Sequence, residues 1–285
     1  MTDNTEPLSK YFRQPQIYVQ LPSQEIWYGP ETITKTETKE HAVLPMTAMD
    51  EIAFKTPDAL MNGQAVVDVI QSCIPDIKNA WNIVNYDLDT IMIALRIATY
   101  GETMDINFNV PNTKHEVSHT VNLPQLLETV RSQQIVNEVK VENGMVIKIK
   151  PLTYKDITAS QLQTFQQQKV YSAVLDSNLP EDDKVKKFNE SFTAMTTLSN
   201  AILMSNIDSI LTPDNQTVSD KVQIERFIKN SDAKLIKEIT DKLVETRTQG
   251  SIKPMVLKAT EEHIKDGAPV TYEVPITFDN ANFFV

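Results

Sequence analysis

Leu88-Asp89-Thr90-Ile91-Met92-Ile93-Ala94-Leu95-Arg96-Ile97-Ala98-Thr99-Tyr100-Gly101 is followed closely by Met104-Asp105-Ile106-Asn107-Phe108-Asn109-Val110. The hydrophobic period changes between these two runs, and that change decides the fold class. In the first run Ile91, Met92, Ile93, Leu95 and Ile97 cover most of a helical circumference, which predicts a helix buried on nearly all sides. Asp87 or Asp89 is placed to cap it, and Gly101 sits where a glycine ends helices. The second run alternates apolar with polar, the period of a half-buried strand. Val117 to Leu123 is expected to pair with it across Asn112-Thr113-Lys114. Glu138 to Lys150 reads as a further hairpin, with Asn143-Gly144 as a type I′ turn. The expected class is α+β.

Upstream, residues 13–46 read as extended. Ile17-Tyr18-Val19 and Ile26-Trp27-Tyr28 are short β-prone runs, and Thr32 to Thr38 suits a solvated edge strand. Pro15, Pro22, Pro30 and Pro45 exclude a long central strand. Such a β arm forms little core alone and must lie on another domain or another chain. Thr47 then caps a helix whose inward face is Met49, Ile52, Ala53 and Leu60, broken at Pro57. A second helix spans 64–73, with Val66, Val67, Val69 and Ile70 inward and Pro75 beyond its end.

Downstream of Pro151 long helices are predicted. Tyr154–Ser177 is Gln-rich. The next, opened by Pro180, carries the apolar seam Phe188, Phe192, Met195 and continues through Ile207, Ile210 and Leu211. Ser219–Lys229 and Asp232–Thr246 follow. The chain closes with two strands, Pro254–Ala259 and Val270–Thr277, joined by a charged turn, and an aromatic tail, Phe278 to Val285. The expected organisation is a flexible terminus over 1–12, a mixed α+β domain with its β arm over 13–150, a helical domain over 151–250, and a C-terminal β hairpin with the tail over 251–285.

Composition narrows the function classes. The 285 residues include 27 basic and 38 acidic side chains, a net charge of −11. That argues against wholesale binding to nucleic acid or anionic membrane. The 6 glycines stand far apart, so no glycine-rich phosphate loop can be built. One cysteine excludes disulfides and Cys-pair zinc sites. Cys73 lies on an apolar helix face and reads as structural. His115 and His119 are four apart, but in turn and strand this spacing holds a metal poorly; His41 and His263 are expected in solvated loops. Glu181-Asp182-Asp183 reads as the charged start of a helix. No catalytic motif, metal site or cofactor is expected, and a hydrolase with dispersed carboxylates is a remote alternative. What remains is binding, through Tyr18, Trp27 and Tyr28 on the arm and Phe278, Phe283 and Phe284 in the tail. Each set can pack on its own chain or on a neighbour.

Ile17-Tyr18-Val19-Gln20-Leu21-Pro22-Ser23, Val43-Leu44-Pro45-Met46-Thr47, Lys55-Thr56-Pro57-Asp58-Ala59-Leu60-Met61-Asn62-Gly63, Cys73-Ile74-Pro75, the helix at 88–101 and the ending Phe278-Asp279-Asn280-Ala281-Asn282-Phe283-Phe284 resemble the baseplate (hub) protein family of T-even-like contractile-tailed bacteriophages. The resemblance is strongest over residues 13–110 and brings no catalytic residues. It implies a structural or assembly component of a tail baseplate whose partners are other baseplate or tail subunits. The chain would sit in the host cytoplasm before assembly and in the virion tail afterwards. The alternative within the family is an assembly chaperone for a hub or tape-measure protein. Oligomerisation is left open.

Overall fold

The computed structural model describes residues 8–56, 62–132, 135–175, 180–249 and 252–276. Among these, the chain forms two compact units. The first holds the described residues up to Ala80, those from Asp87 to Ser132, and those from Ile252; the second holds Trp81–Tyr86 and Ile135–Gln249. The class is α+β, as expected.

In the first unit, β1 (Ile17–Gln20) pairs antiparallel with β2 (Glu40–Val43), with Val19 opposite His41. The segment between them forms no edge strand. It turns at Gln24 and Glu25, both at positive φ, then meets the unit at an isolated β-bridge, Ile33 to Ile77. Thr34 N–H donates to Asp76 O at 2.8 Å, and Lys78 N–H to Thr32 O at 2.9 Å. Val19, Leu21, Ile33 and Val43 are buried, so the arm packs on its own unit.

Helix α1 (Ala48–Phe54) starts with the expected Thr47 cap, completed by Asp50 in a capping box. Its expected inward face is reversed: Met49 and Ile52 are exposed, while Asp50 and Phe54 are buried. Asp50 is held inside because its carboxylate accepts from Thr47 N–H, Thr47 Oγ1, Ser72 Oγ and Arg13. Helix α2 (Gln64–Cys73) buries Val66, Val67, Val69, Ile70 and Cys73. Burial first, then the nearby Asp50 carboxylate, pushes the Cys73 thiol up to about 12, as a structural cysteine requires. The segment Pro57–Met61 lies outside the described residues.

Helix α3 (Asn85–Tyr100) buries every residue from Thr90 to Arg96. Gly101 follows at φ +98°, where its N–H donates to Ile97 O at 3.0 Å. Strands β3 (Thr103–Asn109) and β4 (Glu116–Asn122) pair in the expected hairpin, with Phe108 opposite Val117. Helix α4 (Leu123–Arg131) follows, capped by Asn122.

Three features of the second unit depart from expectation. Strands β5 (Glu138–Lys140) and β6 (Val146–Ile149) form the hairpin, but the turn is not type I′: Gly144 has φ +85° and Asn143 does not have positive φ. Asn143 instead accepts Met145 N–H on its side chain at 3.1 Å, an Asx turn. Second, after α5 (Tyr154–Leu175), helix α6 (Glu181–Asn206) stops before Ile207. Residues Ile207–Leu211 are strand β7, antiparallel to β6, and Thr217–Val218 form β8, completing the order β5-β6-β7-β8. Helices α7 (Lys221–Asn230) and α8 (Ala233–Gln249) supply Ile224, Ile228, Ile239 and Leu243 to a core shared with Val139, Ile147, Ile207 and Ile210. Third, the seam Phe188–Phe192–Met195 is no core. Phe192 is 74% exposed, and along this stretch α5 and α6 pack on each other.

The C-terminal strands β9 (Met255–Lys258) and β10 (Thr271–Val274) pair as expected, but α9 (Glu261–Lys265) replaces the simple turn. In the first unit Tyr272, Val274, Met255 and Leu257 pack on Phe108, Val110 and Val117.

Candidate interaction surfaces and the anchor of the arm

The arm carries three of the aromatic residues read as partner contacts. Tyr18 points outward on β1 and is 60% exposed. Trp27 is half-buried, and Ile26 beside it is exposed. Tyr28 is buried, and its hydroxyl donates to Asp87 Oδ2 at 2.5 Å. The structure thus separates the three: Tyr18 faces outward, whereas Tyr28 packs on the chain's own unit. Phe278, Phe283 and Phe284 lie outside the described residues. Exposed side chains that the periodicity placed inward, Met49 and Ile52, add to the apolar surface of this unit.

Beneath the arm lies a polar network that sequence reasoning missed. His41, expected in a solvated loop, is fully buried. Its Nε2 lies 3.0 Å from Glu25 Oε1 and its Nδ1 lies 3.0 Å from Asp76 Oδ2. Glu25 reaches this position through the left-handed turn at Gln24-Glu25, where its N–H donates to Ser23 Oγ at 3.1 Å. Ser23 N–H donates to Asp87 Oδ1 at 2.9 Å. Asp87 therefore caps the arm's turn from within α3 and does not cap its own helix. Its only sequence signal is an acidic residue at the start of an apolar helix, which points equally well to a cap.

Burial pushes the Asp87 carboxyl up to about 6; the bonds from Ser23 and Tyr28 partly oppose this, and the neighbouring Glu25 reinforces it. Burial likewise raises Asp89 to about 6. A carboxyl raised above its unfolded value stabilises the fold when protonated, and that contribution is lost as pH rises from about 4 through 6. Wild type should therefore lose up to about 3 kcal/mol relative to Asp87→Asn between pH 4 and pH 7. Denaturant unfolding of both proteins across that range measures it, and a wild type that keeps or gains stability relative to the variant as pH rises would contradict the assignment.

Two converging carboxylates are what a hydrolase reading asks for, but Glu25, His41 and Asp87 lie inside. The neighbouring cleft of about 190 Å³ is lined by Gln20, Leu21, Pro22, Gln24, Glu128 and Arg131, among others, and by none of the three. The geometry is that of an anchor holding the arm in place.

His115 does not meet His119 at a common ligand. Its Nε2 lies 2.6 Å from Asp266, and its ring is 5.0 Å from that of His263. No group of three or more His, Cys, Asp or Glu residues able to hold a metal is found among the described residues, and no described helix is long and apolar enough to cross a membrane.

In the second unit five exposed large apolar side chains lie on the α5–α6 hairpin. Phe165, Val170, Tyr171, Val185 and Phe192 are all more than a third exposed. Tyr171 and Phe188 rings lie 5.0 Å apart, and Ser191 Oγ donates to Gln167 Oε1 at 2.9 Å, so the two helices run antiparallel.

A family model described as T4 bacteriophage base plate protein matches residues 14–266. No curated protein and no solved structure matches the chain significantly.

Proposed function

The chain belongs to the T4 bacteriophage base plate protein family, and from that premise we propose that it is a component of the baseplate hub, acting through protein–protein interfaces. Membership makes it a structural protein of a phage tail baseplate. The family match over residues 14–266 carries this reading. The hub position and the partners are the proposed part. Other baseplate or tail subunits would meet the outward-facing side of the arm, with Tyr18 and Trp27 as contacts and Tyr28 supporting them from beneath. The tail, with Phe278, Phe283 and Phe284, would be a second contact. The acidic surface would keep the chain dispersed in the host cytoplasm until assembly.

Quantitative mass spectrometry of purified virions tests this. A fixed copy number per tail is the expected result. Presence in infected-cell extracts and absence from virions would overturn it in favour of an assembly chaperone.

A further inference from the structure

Two grooves run along α6. One, of about 790 Å³, has Asp182, Lys186 and Glu190 in its wall. The other, of about 660 Å³, is lined by Gln168, Tyr171, Phe188, Phe192 and Met195 with neutral polar neighbours, and by no charged residue. Lys169 stands over the Phe165 ring beside the groove, but long charge-free runs flank it. Residues 157–168 and 191–206 contain no Asp, Glu, Lys, Arg or His, in a chain that is 23% charged. The Gln167–Ser191 bond places these two stretches side by side. Across 159–174 and 181–202, Val174 is the only buried residue among those described.

Some polar groups beside this groove are satisfied within the hairpin. Ser191 Oγ, in its lining, donates to Gln167 Oε1, and farther along α6 Thr196 and Ser199 each donate a hydroxyl to the carbonyl four residues earlier, at 3.0 Å. Such hydroxyls can leave water without orphaning a donor. Helices of this length draw most of their stability from packing an apolar face, and this hairpin leaves Phe192 and Tyr171 uncovered.

We propose that this uncharged face is where two copies of the chain associate, α5–α6 against α5–α6, in an isologous four-helix contact. Charge argues for a second copy as the occupant. Each chain carries −11, so copies repel wherever acidic surface meets acidic surface. A patch without charge can face itself, as two-fold symmetry requires. The charge complementarity that would steer a foreign partner to this groove is absent from its lining. A helix of 22 residues is about 33 Å long, and two side by side present roughly 650 Å² over their full length, against the about 800 Å² per partner of a standard interface; the charge-free stretch of α5, residues 157–168, covers about half of that length. Phe192 of each copy would enter the groove between Tyr171 and Phe188 of the other.

Sedimentation and light scattering of the full chain, over a wide concentration range, test this without any baseplate partner, so the outcome is independent of the hub reading. The expected result is a species of two chains. Phe192→Asp and, separately, Ser172→Lys should weaken it roughly tenfold or more, with unchanged circular dichroism. Val222→Asp, an exposed control on α7, should leave it intact. Ser172→Lys alone suffices if Phe192→Asp perturbs the fold. A single chain at every concentration, a species of another size, or a pair insensitive to these substitutions would overturn the proposal.

Discussion

Replacing His41 with leucine is expected to destabilise the first unit by about 3–5 kcal/mol. The imidazole is fully buried between Glu25 and Asp76, at 3.0 Å from each. Asp76 has a side chain 31% exposed and can rehydrate when His41 is lost. Glu25 cannot: its side chain is 3% exposed, and the turn that carries it is pinned by Ser23 and Asp87. Its carboxyl would stay inside without its partner, which is the costly outcome of breaking a buried pair. Denaturant unfolding in a Trp81→Phe background, with Trp27 reporting on the arm, measures the loss. The double variant His41→Leu, Glu25→Leu should recover a substantial part of it, because replacing both members with apolar side chains removes the orphaned charge. A loss under about 1 kcal/mol would mean that water reaches Glu25, and the anchor role would fall.

The second large effect concerns a residue that periodicity assigns to a helix. Ile207→Ala should cost about 2–5 kcal/mol, because Ile207 is fully buried in the core with Ile147, Ile224 and Ile239 and the sheet cannot collapse around the lost methyl groups. Phe192→Asp should change the stability of the isolated chain by less than about 1 kcal/mol, since the ring is 74% exposed. The seam Phe188–Phe192–Met195 by itself predicts the reverse order. Thermal melting followed by circular dichroism, at dilution where self-association adds nothing to apparent stability, compares the two. A Phe192→Asp protein that unfolds while Ile207→Ala does not would restore α6 as a core helix.

These two residues show where local pattern stops being informative. A stripe at helical spacing reports that one face is apolar, not that anything in the same chain covers it. The seam of α6 and the Met49–Ile52 face of α1 both have the right period and both are exposed. Ile207 to Leu211 contains a short apolar run that suits helix or strand equally; pairing with β6 decides it, and β6 lies some sixty residues earlier in the chain. The Asn143-Gly144 turn was legible as a turn, but its type depends on the conformation of Asn143, whose side chain found a local backbone donor.

The candidate surfaces divide in the same way. Tyr18, Trp27 and Tyr28 stood out as aromatics on a proline-punctuated arm, and which of them faces outward waited on the fold. His41 carried no signal at all. Its partners lie 16 and 35 residues away, and one of them comes in through a left-handed turn at Gln24-Glu25 that nothing in those residue types announces.

What the sequence determined by itself was local. The all-round apolar helix α3, the alternating strand β3 with its partner, the Thr47 cap and the α2 core face follow from periods and end signals written within about fifteen residues. The exclusion of glycine-rich phosphate loops and disulfides follows from counting. What only the tertiary structure decided was which faces are covered, where β7 pairs, and how a histidine from one strand meets carboxylates from a turn and a loop. The reason is that burial and charge pairing are energies of contact between segments distant in sequence, while periodicity records only neighbours along the chain.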